Sequence, residues 1–202
     1  AEMKIFPYVL PNLRVQNSDL KIELLSLNNT EQIKLLKKGD LDVTFTRQNL
    51  NSDEIESLFV LREPLIFILP ENHPLAKYER IPVKALHGVD FIIPAAEQSL
   101  TLHNTILEFA KTHGIEFNIV QKADNILFNI NSIGMGLGCT ILPGYVAPLT
   151  MKNTVIRALD VELPYLDLYV SYHKNSSSTA VHKFVELLTH VFYLNINRNS
   201  AI

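Results

Sequence analysis

Three things are scarce in this sequence: cysteine, long apolar runs and an excess of positive charge. Cys139 is the one cysteine in 202 residues. The chain can therefore form no internal disulfide and no thiolate-rich metal site of its own. Its apolar runs are short. The stretch over residues 64–70 is typical, and none approaches the roughly 20 residues a membrane-spanning helix needs. No basic segment followed by an apolar stretch and a cleavage site opens the chain. No export signal is visible, and a cytoplasmic location is expected. The net charge is −3, with lysine and arginine scattered along the chain. That is not the electrostatic footprint of a nucleic-acid binder, so any DNA contact must come from another part of a longer protein.

Catalytic signatures are missing too. There is no G-x-S-x-G elbow and no H-E-x-x-H pair. The seven histidines show no tight ligand spacing, and the acidic residues suggest no particular pair. Gly134, Gly136 and Gly138 alternate with other residues after a helical pattern, which is not the dinucleotide fingerprint. No enzyme activity, catalytic residue, metal or cofactor is expected.

What the sequence does have is an ordinary globular balance, 47% hydrophobic and 19% charged, enough for one large domain or two smaller lobes. Strand and helix patterns alternate. Ile5, Val9, Leu10 and Leu13 recur at helical spacing. Residues 19–27 read as a strand with Leu20, Ile22 and Leu24 on one side. Asn28, Asn29 and Thr30 form a cap cluster before a helix over 31–38, with Gly39 as its C-cap, and 41–46 is dense in β-formers. This order predicts a parallel sheet with helices on its faces. Further along, strands are expected at 58–69, 91–93, 117–121 and 166–173. Helices are expected at 83–86, 101–112, 125–135 and 180–191, followed by a frayed polar tail from Asn195. Two βα lobes joined by two long crossing strands, 58–69 and 166–173, would explain this order. A ligand cleft between such lobes is lined by strand ends and helix N-termini.

Four segments go further. Lys38-Gly39-Asp40-Leu41-Asp42-Val43 is the first. The second is Arg62-Glu63-Pro64-Leu65 followed by Leu69-Pro70-Glu71-Asn72-His73-Pro74-Leu75-Ala76. The third is Gly134-Met135-Gly136-Leu137-Gly138-Cys139-Thr140-Ile141-Leu142-Pro143. The fourth is Phe6-Pro7, with Leu20 thirteen residues after Pro7. Each alone is weak, but all four in this order and spacing resemble the effector-binding domain of LysR-type bacterial transcription regulators. The resemblance covers most of the chain.

It implies an α/β fold of two Rossmann-like lobes, the type-II periplasmic-binding-protein fold. Lobe I would comprise residues 1–64 plus 171–202, and lobe II residues 65–170. It also implies a homodimer or homotetramer and promoter DNA held through an N-terminal winged helix-turn-helix domain absent here. A small-molecule effector, a carboxylate by class, would bind in the interlobe cleft, with no membrane involved. A solute-binding protein of the same fold is the alternative. Family members open with a strand and an effector-binding loop. Here the helix starts almost at once, at Met3 or Lys4, so that strand and loop are expected to be missing.

The resemblance points to particular site residues. Asn29 and Thr30 open a helix whose unpaired N–H groups and dipole suit an anion, or simply cap it. Thr46 and Arg47 end a strand. Arg47 would pair with a carboxylate in a bidentate manner, or form a surface salt bridge. In the loop and helix start over 94–102, Ala95, Gln98, Ser99 and Thr101 are the polar or close-approach contacts. Leu100 and Leu102 form an apolar wall there. Ser99 and Thr101 equally suit helix caps. Asn125 and Phe128 open the next helix, Phe128 reading more as core than as site. Gly136 and Gly138 allow close backbone approach or positive φ. Cys139 reads as a small buried apolar residue and His73 as structural.

Overall fold

The computed structural model describes residues 4–16 and 19–199, with side chains described through Phe192. The chain divides into two compact units, Ala1–Arg62 with Asp167–Ile202, and Glu63–Leu166.

The first unit begins with helix α1 (Phe6–Gln16). The helix buries Val9 and Leu13, with Ile5 just ahead of them. These residues are spaced four apart and so share one helix face. They join Val60, Leu168 and Val170 and, from helix α5 (Thr179–Asn199), Val181, Phe184 and Leu188 in one core. Each fully buried side chain of this size contributes roughly 1.5–3 kcal/mol. Phe45 lies edge-on to both Phe6 and Phe184, at centroid distances of 5.6 and 6.2 Å. No glycine or proline follows Pro164. The polar tail expected to fray from Asn195 is accordingly helical through Asn199. Helix α2 (Asn29–Lys38) starts two residues earlier than expected. Asn28 is its N-cap in a full capping box with Glu31, and Gly39 closes it at φ 79°.

Two expectations for this unit fail. Residues 20–28 form no strand, and Leu24 and Leu25 are exposed. Alternation marks a segment fit for a sheet, but a strand exists only where a neighbour supplies the ladder. Among the described residues none does so here. The parallel sheet fails with it. Strand β1 (Val43–Thr46) pairs antiparallel with β8 (Tyr165–His173), Val43 opposite Tyr172 and Thr46 opposite Tyr169. Thr44 and Thr46 are buried on one side of β1. Thr44 Oγ1 donates to Gln32 Oε1, and Thr46 Oγ1 donates to the Gln48 carbonyl at 2.7 Å.

Strand β2 (Ile55–Pro70) and β8 each run from one unit into the other. In the second unit β2 pairs antiparallel with β6 (Thr140–Pro143) and with β7 (Thr154–Leu159). Strand β3 (Arg80–Ile81) lies parallel to β7. Strand β7 is not among the expected strands, although its Thr154-Val155-Ile156 start is β-branched throughout. At His73 the ring Nδ1 accepts from the Leu75 N–H at 3.1 Å and so caps the turn Pro74–Lys77. Desolvation lowers the pKa of this histidine, against a smaller upward pull from Asp90, which suits the neutral ring that capping needs.

Here the βα pattern is parallel, as expected. Strand β4 (Asp90–Pro94) pairs in parallel with β5 (Asn118–Ala123), and α3 (Leu100–His113) connects them. Helix α3 buries the four residues its periodicity assigns inward: Leu102, Ile106, Phe109 and Ala110. Gly114 ends it at φ 59°. Helix α4 (Ile126–Gly134) leads from β5 toward β6. Phe91, Ile92, Ile93, Ile106, Ile130 and Ile133 form the centre of this unit's core, with Phe91 stacked on Phe117 at 4.0 Å.

Candidate functional site

The expected site residues divide between the two units. In the first unit, Asn29 is the first helical residue of α2 and Thr30 the second, the cap itself being Asn28. The Glu31 N–H donates to Asn28 Oδ1 at 3.0 Å, and the Asn28 N–H donates to Glu31 Oε2 at 3.4 Å. The capping alternative thus falls to Asn28 and leaves the side chains of Asn29 and Thr30 outside that role. Thr46 is buried and its hydroxyl is committed to Gln48.

Arg47 follows at the strand end, with Nη1 buried. Nearby, Arg62 grips Asp167 in a bidentate pair, Nε to Oδ1 at 2.7 Å and Nη2 to Oδ2 at 3.0 Å. The hydrogen bond from Arg62 holds the Asp167 carboxyl below its usual range, and the charge of Arg47 acts in the same direction. Two guanidinium groups therefore favour the ionised form of one carboxylate. Asp167 is depressed in the folded state, so its contribution is present above the unfolded pKa of about 3.9. It is lost as pH falls through the lower folded value. Because the Arg62 side chain is 62% exposed, Asp167→Asn is expected to cost less than about 1 kcal/mol at pH 7. That cost should vanish in strong acid. Urea melts at the two pH values would show this, and a cost that persists in acid would contradict it.

In the second unit, the loop after β4 is pinned by the Ala95 N–H, which donates to the Ala123 carbonyl at 2.8 Å. The Gln98 and Ser99 N–H groups both donate to the Ala95 carbonyl at 3.2 Å. Ser99 occupies the N-cap position of α3, but its side chain makes no capping bond. Thr101, one residue into the helix, has a buried Oγ1 with no hydrogen-bond partner among the described residues. Neither residue therefore caps the helix. Its first N–H groups are left for a ligand or solvent, in the positive field of a helix N-terminus. Gln98 and Leu100 are exposed, whereas Leu102 belongs to the core. Of the two leucines expected as an apolar wall, only Leu100 is exposed.

Asn125 caps α4, its Oδ1 accepting from the Phe128 N–H at 2.8 Å. The core reading of Phe128 is wrong, because that side chain is 46% exposed. The apolar stripe of α4 runs instead through Ile126, Asn129, Ile130 and Ile133. Asn129 is the residue that sequence reasoning missed. It is 1% exposed, and neither its Nδ2 nor its Oδ1 has a partner among the described residues. The signal was a polar residue at the i+3 position of an apolar stripe.

Gly136 and Gly138 divide the two expected glycine roles. Gly136 has φ 79°, whereas a Cβ on Gly138 would meet the Asp90 carbonyl oxygen at 2.8 Å. The close approach at Gly138 is thus to the protein's own backbone. There the Cys139 N–H donates to Asp90 O and the Ile92 N–H to Cys139 O, both at 2.8 Å. Cys139 is fully buried, and desolvation followed by the charge of Asp90 pushes its thiol pKa up to about 12. The thiolate is the reactive species. Ellman's reagent at pH 8 is therefore expected to leave Cys139 untouched in the native chain and to titrate one thiol in guanidinium. Rapid native labelling would contradict the buried, neutral assignment.

Two grooves on the first unit contain none of the expected residues. One, of about 570 Å³, lies along Phe6, Leu10, Arg14 and Leu24. The other, of about 590 Å³, lies between α2 and the loop around Asp53. Among the described residues, no group of three His, Cys, Asp or Glu is placed to hold a metal ion. No helix among them is long and apolar enough to cross a membrane.

A family model described as LysR substrate binding domain matches residues 1–192. The Hca operon transcriptional activator HcaR of Escherichia coli (strain K12) is 35% identical over 188 residues, which cover 93% of this chain and 64% of that protein. The chain thus spans less than two thirds of that relative's length. Among solved structures, the BenM effector binding domain with its effector benzoate matches with a TM-score of 0.80 at 16% identity, over 96% of this chain and 88% of that one. The effector binding domain of QuiR in complex with shikimate matches with a TM-score of 0.81 at 19% identity, over 95% of this chain and 91% of that one. At these identities the likeness establishes the fold, two α/β units of the periplasmic-binding-protein type.

Proposed function

Because the chain belongs to the LysR substrate binding domain family, we propose that it senses a small carboxylate effector for a LysR-type transcription regulator in the cytoplasm. The domain is a regulator, not an enzyme. In the longer protein, DNA is held by a winged helix-turn-helix portion and the assembly is a homodimer or homotetramer. Effector binding biases the conformations available to that assembly and so its hold on the promoter. The exposed Tyr8, Val15, Leu24 and Leu25 of the first unit are consistent with a surface that other copies cover.

The observation that carries the carboxylate reading is the start of α3. A fourteen-residue helix whose N-cap side chain makes no capping bond presents N–H donors and a favourable dipole to an anion. On the first unit, Arg47 is a separate candidate for pairing with a carboxylate, and its charge already acts on Asp167. The ligands of the two solved relatives, benzoate and shikimate, are both carboxylates.

A thermal-shift screen of this chain against small carboxylates, benzoate and shikimate included, tests the reading. Stabilisation that grows with ligand concentration is expected, and Arg47→Ala is expected to weaken it by about tenfold in Kd. Stabilisation by no carboxylate would remove the effector class. Stabilisation equal in the variant would remove Arg47 from the site while leaving the class intact.

A further inference from the structure

In the second unit, α3 crosses from β4 to its parallel neighbour β5. Helix α4 then leads from β5 to β6, whose approach bridges the other side of β4 at Phe91 and Cys139. Right-handed crossovers running in opposite directions place their helices on opposite faces of the sheet. The loops after β4 and β5 therefore part at the carboxyl ends of the strands, and the crevice between them is where open α/β sheets bind ligands. Both α3 and α4 begin at that edge.

Asn129 lies toward the same edge, near the start of α4. On α4, Ser132 faces Gln121 of β5, whose Nε2 donates to Ser132 Oγ at 3.1 Å. Asn129 lies on the same buried face, three residues nearer the helix start. At about 1.5 Å per residue this carries it some 4.5 Å toward the strand ends. It is nine-tenths buried and more, and both polar atoms of its amide lack a protein partner. On the α3 side, Thr101 Oγ1 is buried and equally unmatched. Buried polar groups are almost always hydrogen-bonded in native proteins. Two unmatched groups where two helices begin therefore point to a ligand.

The chemistry of the amide restricts that ligand. A carboxylate accepts hydrogen bonds and donates none, so it satisfies helix N–H groups and Asn129 Nδ2 but leaves Oδ1 unmet. An ammonium donates to Oδ1 but leaves Nδ2 unmet, and the positive helix ends repel it. A hydroxyl group both donates and accepts. Leu100, Leu127 and Phe128, all exposed near these helix starts, offer apolar surface for a carbon ring or chain. We infer that Asn129 is a specificity-determining residue of this site and that the effector is a hydroxylated carboxylate whose hydroxyl pairs with the Asn129 amide. This rests on the effector-sensing reading above and narrows it.

Isothermal titration of this chain tests the inference with matched probes: benzoate, 3-phenylpropionate and cyclohexanecarboxylate, each beside its ring-hydroxylated counterparts. At least one hydroxylated probe is expected to bind ten or more times tighter than its parent, because a site built to bond a hydroxyl discriminates against its loss. In Asn129→Leu that ratio is expected to fall to within about twofold. Should circular dichroism show that variant misfolded, Asn129→Ala supplies the same ratio. Binding with no hydroxyl preference in the native chain, or a preference kept in the variants, overturns the inference and leaves the carboxylate reading standing. Binding of no probe at all overturns both.

Discussion

Gly138→Ala is expected to destabilise the chain by about 3 kcal/mol, at the upper end of the usual cost of overpacking. The atom added would sit 2.8 Å from the Asp90 carbonyl oxygen and 3.1 Å from its carbon. Both belong to backbone that cannot swing aside as a flexible side chain does. That same carbonyl accepts the Cys139 N–H, and Cys139 O accepts the Ile92 N–H. Any shift that relieves the clash therefore loosens the register between β4 and the approach to β6. Two residues earlier the physics differs. Gly136 has nothing within 4 Å of a built Cβ, but its φ is 79°, so Gly136→Ala is expected to cost about 1–2 kcal/mol for left-handed backbone. Asparagine separates the two causes, since it tolerates the left-handed region. Gly136→Asn should recover much of the loss, while Gly138→Asn should be at least as damaging as Gly138→Ala. Urea denaturation of the four variants measures this. Equal costs at the two positions would refute the assignment of close approach to one and backbone twist to the other.

These glycines also show what the sequence made legible. Their motif pointed to close approach or positive φ without saying which residue had which, because that depends on what lies opposite. Helix α3 could be read almost to the residue. Its buried face repeats at helical spacing, and Gly114 supplies a local stop. The crossing strands were legible because β2 and β8 are long and rich in β-formers. Residues 20–28 misled for the opposite reason. Their alternation is real, but strand formation is a property of a pair, and no partner strand is described beside them. The antiparallel pairing of β1 with β8 joins segments more than 120 residues apart, which no local pattern announces.

At the candidate site, the starts of α3 and α4 were legible in the sequence, while the direction of single side chains was not. Leu102 turned to the core and Phe128 to solvent. A shift of one or two residues along a helix decides between those fates. Asn129 is hard to single out in the sequence because polar residues are expected on the exposed side of a helix, whereas this one sits within the apolar stripe of α4.

Asn129 also carries the second large expected effect. In the absence of ligand, Asn129→Leu is expected to stabilise the chain by about 1–2 kcal/mol. Leaving a buried donor or acceptor unsatisfied costs about 1–3 kcal/mol, and the amide has one of each unmatched at 1% exposure. Leucine keeps the branching of asparagine at the γ position while removing both polar atoms. It joins Ile130 and Ile133, which already pack into this unit's core. The larger side chain brings some crowding, so Asn129→Ala serves as the uncrowded comparison and is expected to be no less stable than the native chain. Ligand reverses the order. Saturating hydroxylated carboxylate stabilises the native chain through its differential affinity for the folded state, and the leucine variant, having lost the matching group, gains less. Thermal melts with and without ligand would show the two curves cross. A residue kept for packing would give the opposite result, with both variants less stable than the native chain under every condition. That outcome would mean that the Asn129 amide is satisfied within the fold itself. A gain on substitution without ligand and a deficit with it mark a side chain retained at the expense of stability for what it recognises.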